Sequence, residues 1–518
     1  MLWLPAVVAT LLAAAPPPPA DAFSSVKQRG ELLWGGDQEG GGPYVFPRDD
    51  DPARVTGFEV ELAEALGRYL GVRPRFSQGA WDKMPELLRS GKVDVVLNGY
   101  EWTPVRAEAM ECTIPYYVYG LQLLSRRDGP IDSWEALRAA GPRRRKVGVL
   151  TGTAAESYVQ EHLGEKVELI SYDGNTDAMR EVETGKLDAT LQDTPIAVFY
   201  GPRFPKLRAV GAPVGKGHYV IYLRKGEAGL RDALNDALIV LVRSGELERI
   251  YRRWGLWNEA QAELLLLAEA GQFYGHARAT GAELKQGEVP MEAAVEQSAR
   301  PHGLEVVRRY GKILVQSAGM TVLLSVLSFP LAISAGLLIA LGRLYGPGWL
   351  KPLLAIHVEF LRGTPVMLQL FFIFFFLPEI GINVPAFATA VIGLAVNYSA
   401  YESEIYRAGL QAIPPGQLEA GLSLGMSRAL ALRRIVVPQA VRIVIPPVVN
   451  DFIALFKDTS VCSVVTIVEL TKRFSVLSQS SQATIELMAL TATLYMLMSY
   501  PLSLFSARLE RRLAGGGA

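Results

Sequence analysis

Residues 313–341 read ILVQSAGMTVLLSVLSFPLAISAGLLIAL, a run with no charged side chain. As a helix it would extend about 43 Å at ~1.5 Å per residue, more than the ~30 Å hydrocarbon core of a bilayer, so it spans with tilt. Similar uncharged windows follow at Ile380–Tyr401 and Leu487–Ala507. Two weaker apolar segments complete the set. One is Val366–Leu377, lengthened upstream through Leu353–Leu361, and the other is Ala440–Phe456. The pattern predicts five spans.

Charge sets the direction of threading, because Lys and Arg concentrate on the cytoplasmic side. Arg343 and Lys351 flank the first connection, Arg407, Arg428, Arg433, Arg434 and Arg442 surround the third, and Arg508, Arg511 and Arg512 follow the last span. The second connection, Pro378–Pro385, has no basic residue. The first span therefore enters from outside. Arg308, Arg309 and Lys312, just ahead of it, dissent.

The chain upstream is of another kind. Residues 23–258 alternate short β-rich runs with amphipathic helical ones: strands at Glu31–Gly35, Val93–Leu97 and Lys146–Leu150, a helix at Val60–Leu70, and a closing helix at Asn235–Trp254. Such alternation predicts an α/β domain with a mostly parallel sheet. Between 259 and 304 the pattern fails amid Gly, Pro and mixed charge, which reads as a linker with some helix in it. Residues 1–22 hold an apolar stretch, a proline run and the small-x-small sequence Ala20-Asp21-Ala22, and so read as a signal peptide that directs secretion of the α/β domain.

Composition agrees with this division. Of the 518 residues, 52 are Lys or Arg and 52 Asp or Glu, a net charge of zero that names no nucleic-acid partner. From Pro301 onward basic residues outnumber acidic ones 17 to 11, so the first part carries the acidic excess. Cys112 and Cys462 are too few and too far apart for a disulfide framework or a zinc site. No cofactor or metal motif is present.

The most specific string lies between the third and fourth predicted spans: Glu419-Ala420-Gly421, Gly425 four residues on, then Ile435-Val436-Val437-Pro438. It resembles the EAA loop of ABC importer permeases, with Gly421 in place of the second Ala and Val437 in place of Leu. Such a loop needs a short helix with small residues on one face and a glycine that reverses the chain. The flanks resemble the polar-amino-acid permeases: Phe360-Leu-Arg-Gly-Thr-Pro365, Tyr401-Glu-Ser-Glu-Ile-Tyr-Arg-Ala-Gly409, and Lys457-Asp458-Thr459-Ser460. Ionisable groups at membrane depth (Glu359, Arg362, Glu402, Glu404, Lys457, Asp458) should face the bundle or one another, with Lys457 and Asp458 as a local pair.

The upstream domain resembles amino-acid solute-binding proteins of the glutamine-, histidine- and lysine/arginine-binding types. The resemblance rests on Gly57-Phe-Glu-Val-Glu-Leu62, Ser90-Gly-Lys-Val-Asp94, Thr103-Pro-Val-Arg106, Val147-Gly-Val-Leu-Thr-Gly-Thr153 and Gly185-Lys-Leu-Asp-Ala-Thr-Leu-Gln-Asp193. It implies a two-lobed α/β periplasmic-binding-protein fold with hinge strands near 119–124 and 217–223, followed by an all-α five-helix type I ABC importer transmembrane domain.

A free amino acid is a zwitterion, so its site needs a fixed cation and a fixed anion. Arg106 is placed to grip the α-carboxylate and Asp193, on the other lobe, to take the α-ammonium. Gly152 and Thr153 offer further donors to the carboxylate. Asp37, Tyr44, Phe46, Trp81, Gly99 and Glu101 complete the candidate site. Glu101 stands where relatives carry Ser or Thr. Three carboxylates, Asp37, Glu101 and Asp193, suit a cationic side chain, with glutamine close behind.

The chain has no G-x4-G-K-[ST] phosphate loop, so the resemblance implies a separate ABC ATPase subunit as partner, working on a permease homodimer. The expected ligand is a free polar amino acid, and the expected setting is the lipid bilayer. Three other classes weigh less. A dehydratase shares the two-lobed fold, but a fused permease argues against it. A ligand-gated channel interrupts the binder between its lobes, and a sensor needs a cytoplasmic signalling domain.

Overall fold

The computed structural model describes residues 22–514 except 140, 142, 173, 271–300 and 482. The predicted signal peptide lies, apart from Ala22, outside the described residues. The chain divides into an α/β unit and a helical unit.

In chain order the strands of the α/β unit are β1 (Glu31–Gly36), β2 (Arg73–Gln78), β3 (Val95–Val96), β4 (Glu111–Cys112), β5 (Tyr117–Arg126), β6 (Arg145–Leu150), β7 (Val167–Tyr172), β8 (Ala189–Asp193), β9 (Leu207–Tyr219) and β10 (Tyr222–Leu223). They form two five-stranded sheets, ordered β2-β1-β3-β10-β4 and β9-β5-β8-β6-β7. Each sheet is the centre of one lobe. Pairing is parallel for β1 with β3, β8 with β6, and β6 with β7, but antiparallel where β5, β9 and β10 take part. The sheets are therefore mixed rather than mostly parallel. β5 is buried along nearly its whole length, as a central strand covered on both faces must be.

The helices of this unit include α1 (Phe58–Leu70), α2 (Pro104–Ala109), α3 (Ala154–Tyr158), α4 (Ala228–Arg243), α5 (Glu246–Arg253) and α6 (Glu263–Ala270). In α1, Phe58, Leu62, Ala65 and Leu66 make one buried face, and Glu59 and Glu61 stand at the positive end of the helix dipole. Gly71 ends the helix at φ 63° in the left-handed region. The single closing helix expected at 235–254 is two, α4 and α5. Gly245 takes φ 70° between them.

The chain crosses between lobes twice, over residues 113–117 and 219–222, with Tyr117 paired to Tyr219 and Tyr119 to Gly217. The segment expected to be a linker with some helix in it opens on packed structure. Residues 259–270 turn and form α6, which buries Ala260, Gln261, Leu264 and Ala268 against the α/β unit. The Gln261 side chain accepts from the Val118 N–H at 3.0 Å and donates to the Val118 carbonyl at 2.7 Å. Glu263 is ion-paired with Lys216. One short segment thus holds both hinge strands.

The helical unit contains α7 (Leu304–Tyr345), α8 (Leu350–Gly363), α9 (Val366–Phe371, extended to Phe376), α10 (Ala386–Gln411), α11 (Pro415–Ser423), α12 (Val437–Asp458), α13 (Leu470–Ser481) and α14 (Thr484–Ala514). Among the described residues, the segments Leu304–Tyr345, Arg428–Val465 and Thr484–Leu509 are long and apolar enough to cross a membrane. A fourth crossing arises if α8 and its continuation Val366–Phe376, bent by 105°, are one span. Pro365 causes the bend by holding Thr364 extended. The Gln369 amide then donates to the Leu361 and Thr364 carbonyls that the break leaves open.

The remaining predicted span, the third in chain order, corresponds to α10, and it is not one of these. It starts only at Ala386 and runs on through Glu402, Glu404 and Arg407, which costs it apolarity. Its polar side chains face inward, with Asn397, Ser399, Glu402 and Ser403 all buried. Close packing is possible because α7 carries Gly336. A Cβ there would lie 2.6 Å from Glu402 Cβ and 2.9 Å from the Ser399 carbonyl. Glu404 is ion-paired with both Arg343 and Arg407. The expected Lys457–Asp458 pair does not form among the described residues. Asp458 instead accepts from the Tyr398 hydroxyl at 2.7 Å.

Candidate functional site

The two lobes of the α/β unit meet around a narrow cleft whose cavity measures only about 30 Å3. One wall comes from the loop after β1 and from the stretch after β3, the other from β8, the β6–α3 turn and Asn175. The second stretch holds Asn98, Gly99 and Glu101. Gly99 sits at φ 57°, and a Cβ there would lie 2.8 Å from the Tyr44 ring. Its N–H donates to Glu59 at 2.6 Å. Burial pushes the Glu59 carboxyl up to about 7, against hydrogen bonds from Tyr116, Gly99 and Asn98 that lower it.

Asp193 ends β8 and accepts from the Tyr219 hydroxyl. Tyr219 in turn shares a 2.8 Å hydrogen bond with Tyr44. Burial first, and then the charge of Glu101, raise the Asp193 carboxyl to about 8.

Arg106, in α2, lies over the faces of Tyr100 and Trp81 at 4.5 and 5.1 Å. Its Nη1 donates to the Glu101 carboxylate at 2.8 Å, and Nη2 donates to the Gly152 carbonyl at 3.2 Å. The second Glu101 oxygen accepts from the Ala154 N–H at 3.0 Å.

In the helical unit, α11 carries Glu419 and Ala420 exposed and Gly421 buried. A Cβ on Gly421 would come within 2.8 Å of Ile435 Cδ1 and 3.0 Å of Ala431 Cβ. The small residue lets α11 pack closely against Ile435 and Ala431. Gly425 takes φ 81° in open space, reversing the chain. Leu424, 80% exposed, stands at that turn. Pro438 lies in the first turn of α12, where a missing N–H costs nothing.

Two family descriptions match separate stretches: bacterial extracellular solute-binding proteins, family 3, over residues 37–256, and binding-protein-dependent transport system inner membrane components over 332–515. The L-cystine transport system permease protein of Bacillus subtilis (strain 168) is 35% identical over 209 residues, 40% of this chain and 89% of the relative. The glutamine transport system permease protein of Escherichia coli (strain K12) is 35% identical over 204 residues, 39% of this chain and 93% of the relative. The L-cystine-binding protein of the same strain is 31% identical over 235 residues, 45% of this chain and 85% of the relative. The chain belongs to the amino-acid ABC importer family, as a solute-binding protein fused to an inner-membrane permease.

In this importer the cleft brings together Tyr44, Trp81, Gly99, Glu101, Thr153 and Asp193 from the sequence candidates. Others stand apart. Phe46 packs on Phe199 and Trp254 at ring distances of 5.3 and 5.9 Å, in the core. Asp37 accepts from the Glu39 and Trp81 N–H groups at 3.0 and 2.9 Å and so shapes the loop. The Gly152 N–H donates to Glu156, and the Thr153 hydroxyl to the Leu150 carbonyl. Both expected carboxylate donors are thus occupied. The sequence reading missed Asn98, Asn175, Gln192 and Tyr219. The first three line the cleft, and Tyr219 reaches Asp193 from the returning hinge strand. Only the pairing of β9 with β5 brings Tyr219 to Asp193, and no spacing in the chain announces it.

Proposed function

We propose that the protein captures a polar amino acid, basic or glutamine, outside the cell and passes it to its own permease for ATP-driven import. The observation that carries this is a two-lobed cleft lined by a half-buried carboxylate, Asp193, in one chain with a permease that presents an exposed turn at Leu424–Gly425. In this reading Asp193 takes the α-ammonium, Arg106 the α-carboxylate, and Trp81 and Tyr44 wall the side chain. Glu101 and Asp193 in the lining favour a cationic side chain. The glutamine specificity named for one relative keeps that ligand in the range.

The same reading assigns the remaining parts. The basic connections lie in the cytoplasm and the binding domain outside, after removal of a signal peptide at 1–22. The binding domain runs from 23, and the permease from about 305. A homodimer of permeases works with two copies of a separate ATPase, which grips α11 through Glu419, Ala420 and the turn at Gly425. A ligand held by both lobes favours closure, and closure presents it to the permease. Arg106→Ala should weaken amino-acid binding at least about 100-fold by calorimetry, since it removes a partner of a buried charged group. Unchanged affinity would place the site elsewhere.

A further inference from the structure

Among the described residues, those lining the cleft include two carboxylates, Glu101 and Asp193, and no cation. The reason is local. Arg106 commits its guanidinium to the Glu101 carboxylate, the Glu101 carbonyl at 2.9 Å and the Gly152 carbonyl. The Glu101 side chain is 1% exposed, and its two oxygens are held from opposite lobes, one by Arg106 and one by the Ala154 N–H. A carboxylate gripped by one guanidinium and one main-chain amide across the cleft is in the chemical setting that an incoming α-carboxylate requires.

We infer that Glu101 is a specificity-determining residue: an internal stand-in for the ligand's α-carboxylate, which a ligand must displace before Arg106 can hold it. The inference rests on the proposed amino-acid function. It has three physical consequences. Glu101 links the lobes in the empty protein and so biases it toward closure. Apparent affinity is reduced by the fraction of molecules in which the stand-in is engaged. Once displaced, Glu101 remains tethered at the cleft by its main chain, and its charge stands beside Asp193. A ligand with a cationic side chain gains that carboxylate as a partner, whereas glutamine meets it with a neutral amide. Glu101 therefore weakens the binding of every ligand and compensates the basic ones.

The test uses the full chain in lipid nanodiscs, with Glu101→Thr and Glu101→Gln beside the unaltered protein. Calorimetry with glutamine and with arginine gives the first readout. Glutamine should bind roughly tenfold or more tighter to Glu101→Thr, with arginine gaining less, so that the preference for arginine narrows. Glu101→Gln keeps the side chain's shape and should move the same way by less, which guards against a variant that fails to fold. The second readout is a spin-label distance between Glu64→Cys and Glu165→Cys, one on each lobe, in a Cys112→Ser background without ligand. The distance should lengthen or broaden in both variants. Unchanged or weakened glutamine binding together with an unchanged empty-state distance would overturn the inference. If no protein bound any amino acid, the proposed function would fail, and the empty-state distance would still decide whether Glu101 latches the lobes.

Discussion

Asp193 lines the cleft with its carboxyl raised to about 8, so without ligand a share of the protein carries a proton there near neutral pH. An ammonium ion arriving at Asp193 favours the charged form and expels that proton. Calorimetric binding enthalpies at pH 7 should therefore differ between phosphate and Tris buffers, in the sense of proton release. Equal enthalpies would separate Asp193 from the ligand. Glu59 gives a second residue-level outcome. Its folded carboxyl titrates near 7 against an ordinary value of 4.5. Between those pH values the unfolded chain gives up a proton that the folded one keeps, so stability falls as pH rises through the window and levels off above 7. Glu59→Gln keeps an acceptor for the Gly99 N–H and should flatten that slope in denaturant unfolding at pH 5, 6 and 7.5. Arg106, Glu101 and Asp193 were legible because each stands at a fixed place in a recognisable string. The partners of Phe46 and Asp37 were not legible, because an aromatic ring or a carboxylate looks the same in sequence whether it meets a ligand, a core or a loop's own N–H groups.

Elements were read well where period and capping agreed, as in α1 and β6, and poorly where one residue changed the path. Gly245 splits the closing helix, Pro365 folds one span, and buried polar side chains make α10 a central helix rather than an apolar one. The docking of residues 259–270 was not legible, because Gln261 holds β5 through side-chain bonds that leave no mark on hydropathy. The turn after α11 is the element whose function is most exposed to test. Gly425 has no neighbour within reach of a Cβ, so any cost of Gly425→Val comes from its positive φ alone, about 1–3 kcal/mol. That substitution should leave amino-acid binding intact while ATP hydrolysis by the partner subunit no longer rises with ligand. Ligand-stimulated hydrolysis at the normal rate would remove the turn from the coupling path.

At the scale of the molecule, an amino-acid binder and a permease share one chain. Tethering raises the binder's effective concentration at the permease to the order of millimolar without any new contact, within the reach of the connecting residues. Zero net charge conceals a chain whose halves differ in sign as they differ in solvent, and this contrast made the architecture readable before the fold was known. The most direct measurement is uptake of radiolabelled glutamine and arginine into vesicles holding the full-length protein and an ABC ATPase partner, with ATP inside. Accumulation that requires ATP and is lost in Arg106→Ala is the expected result. Accumulation without ATP, or full uptake by Arg106→Ala, would contradict it.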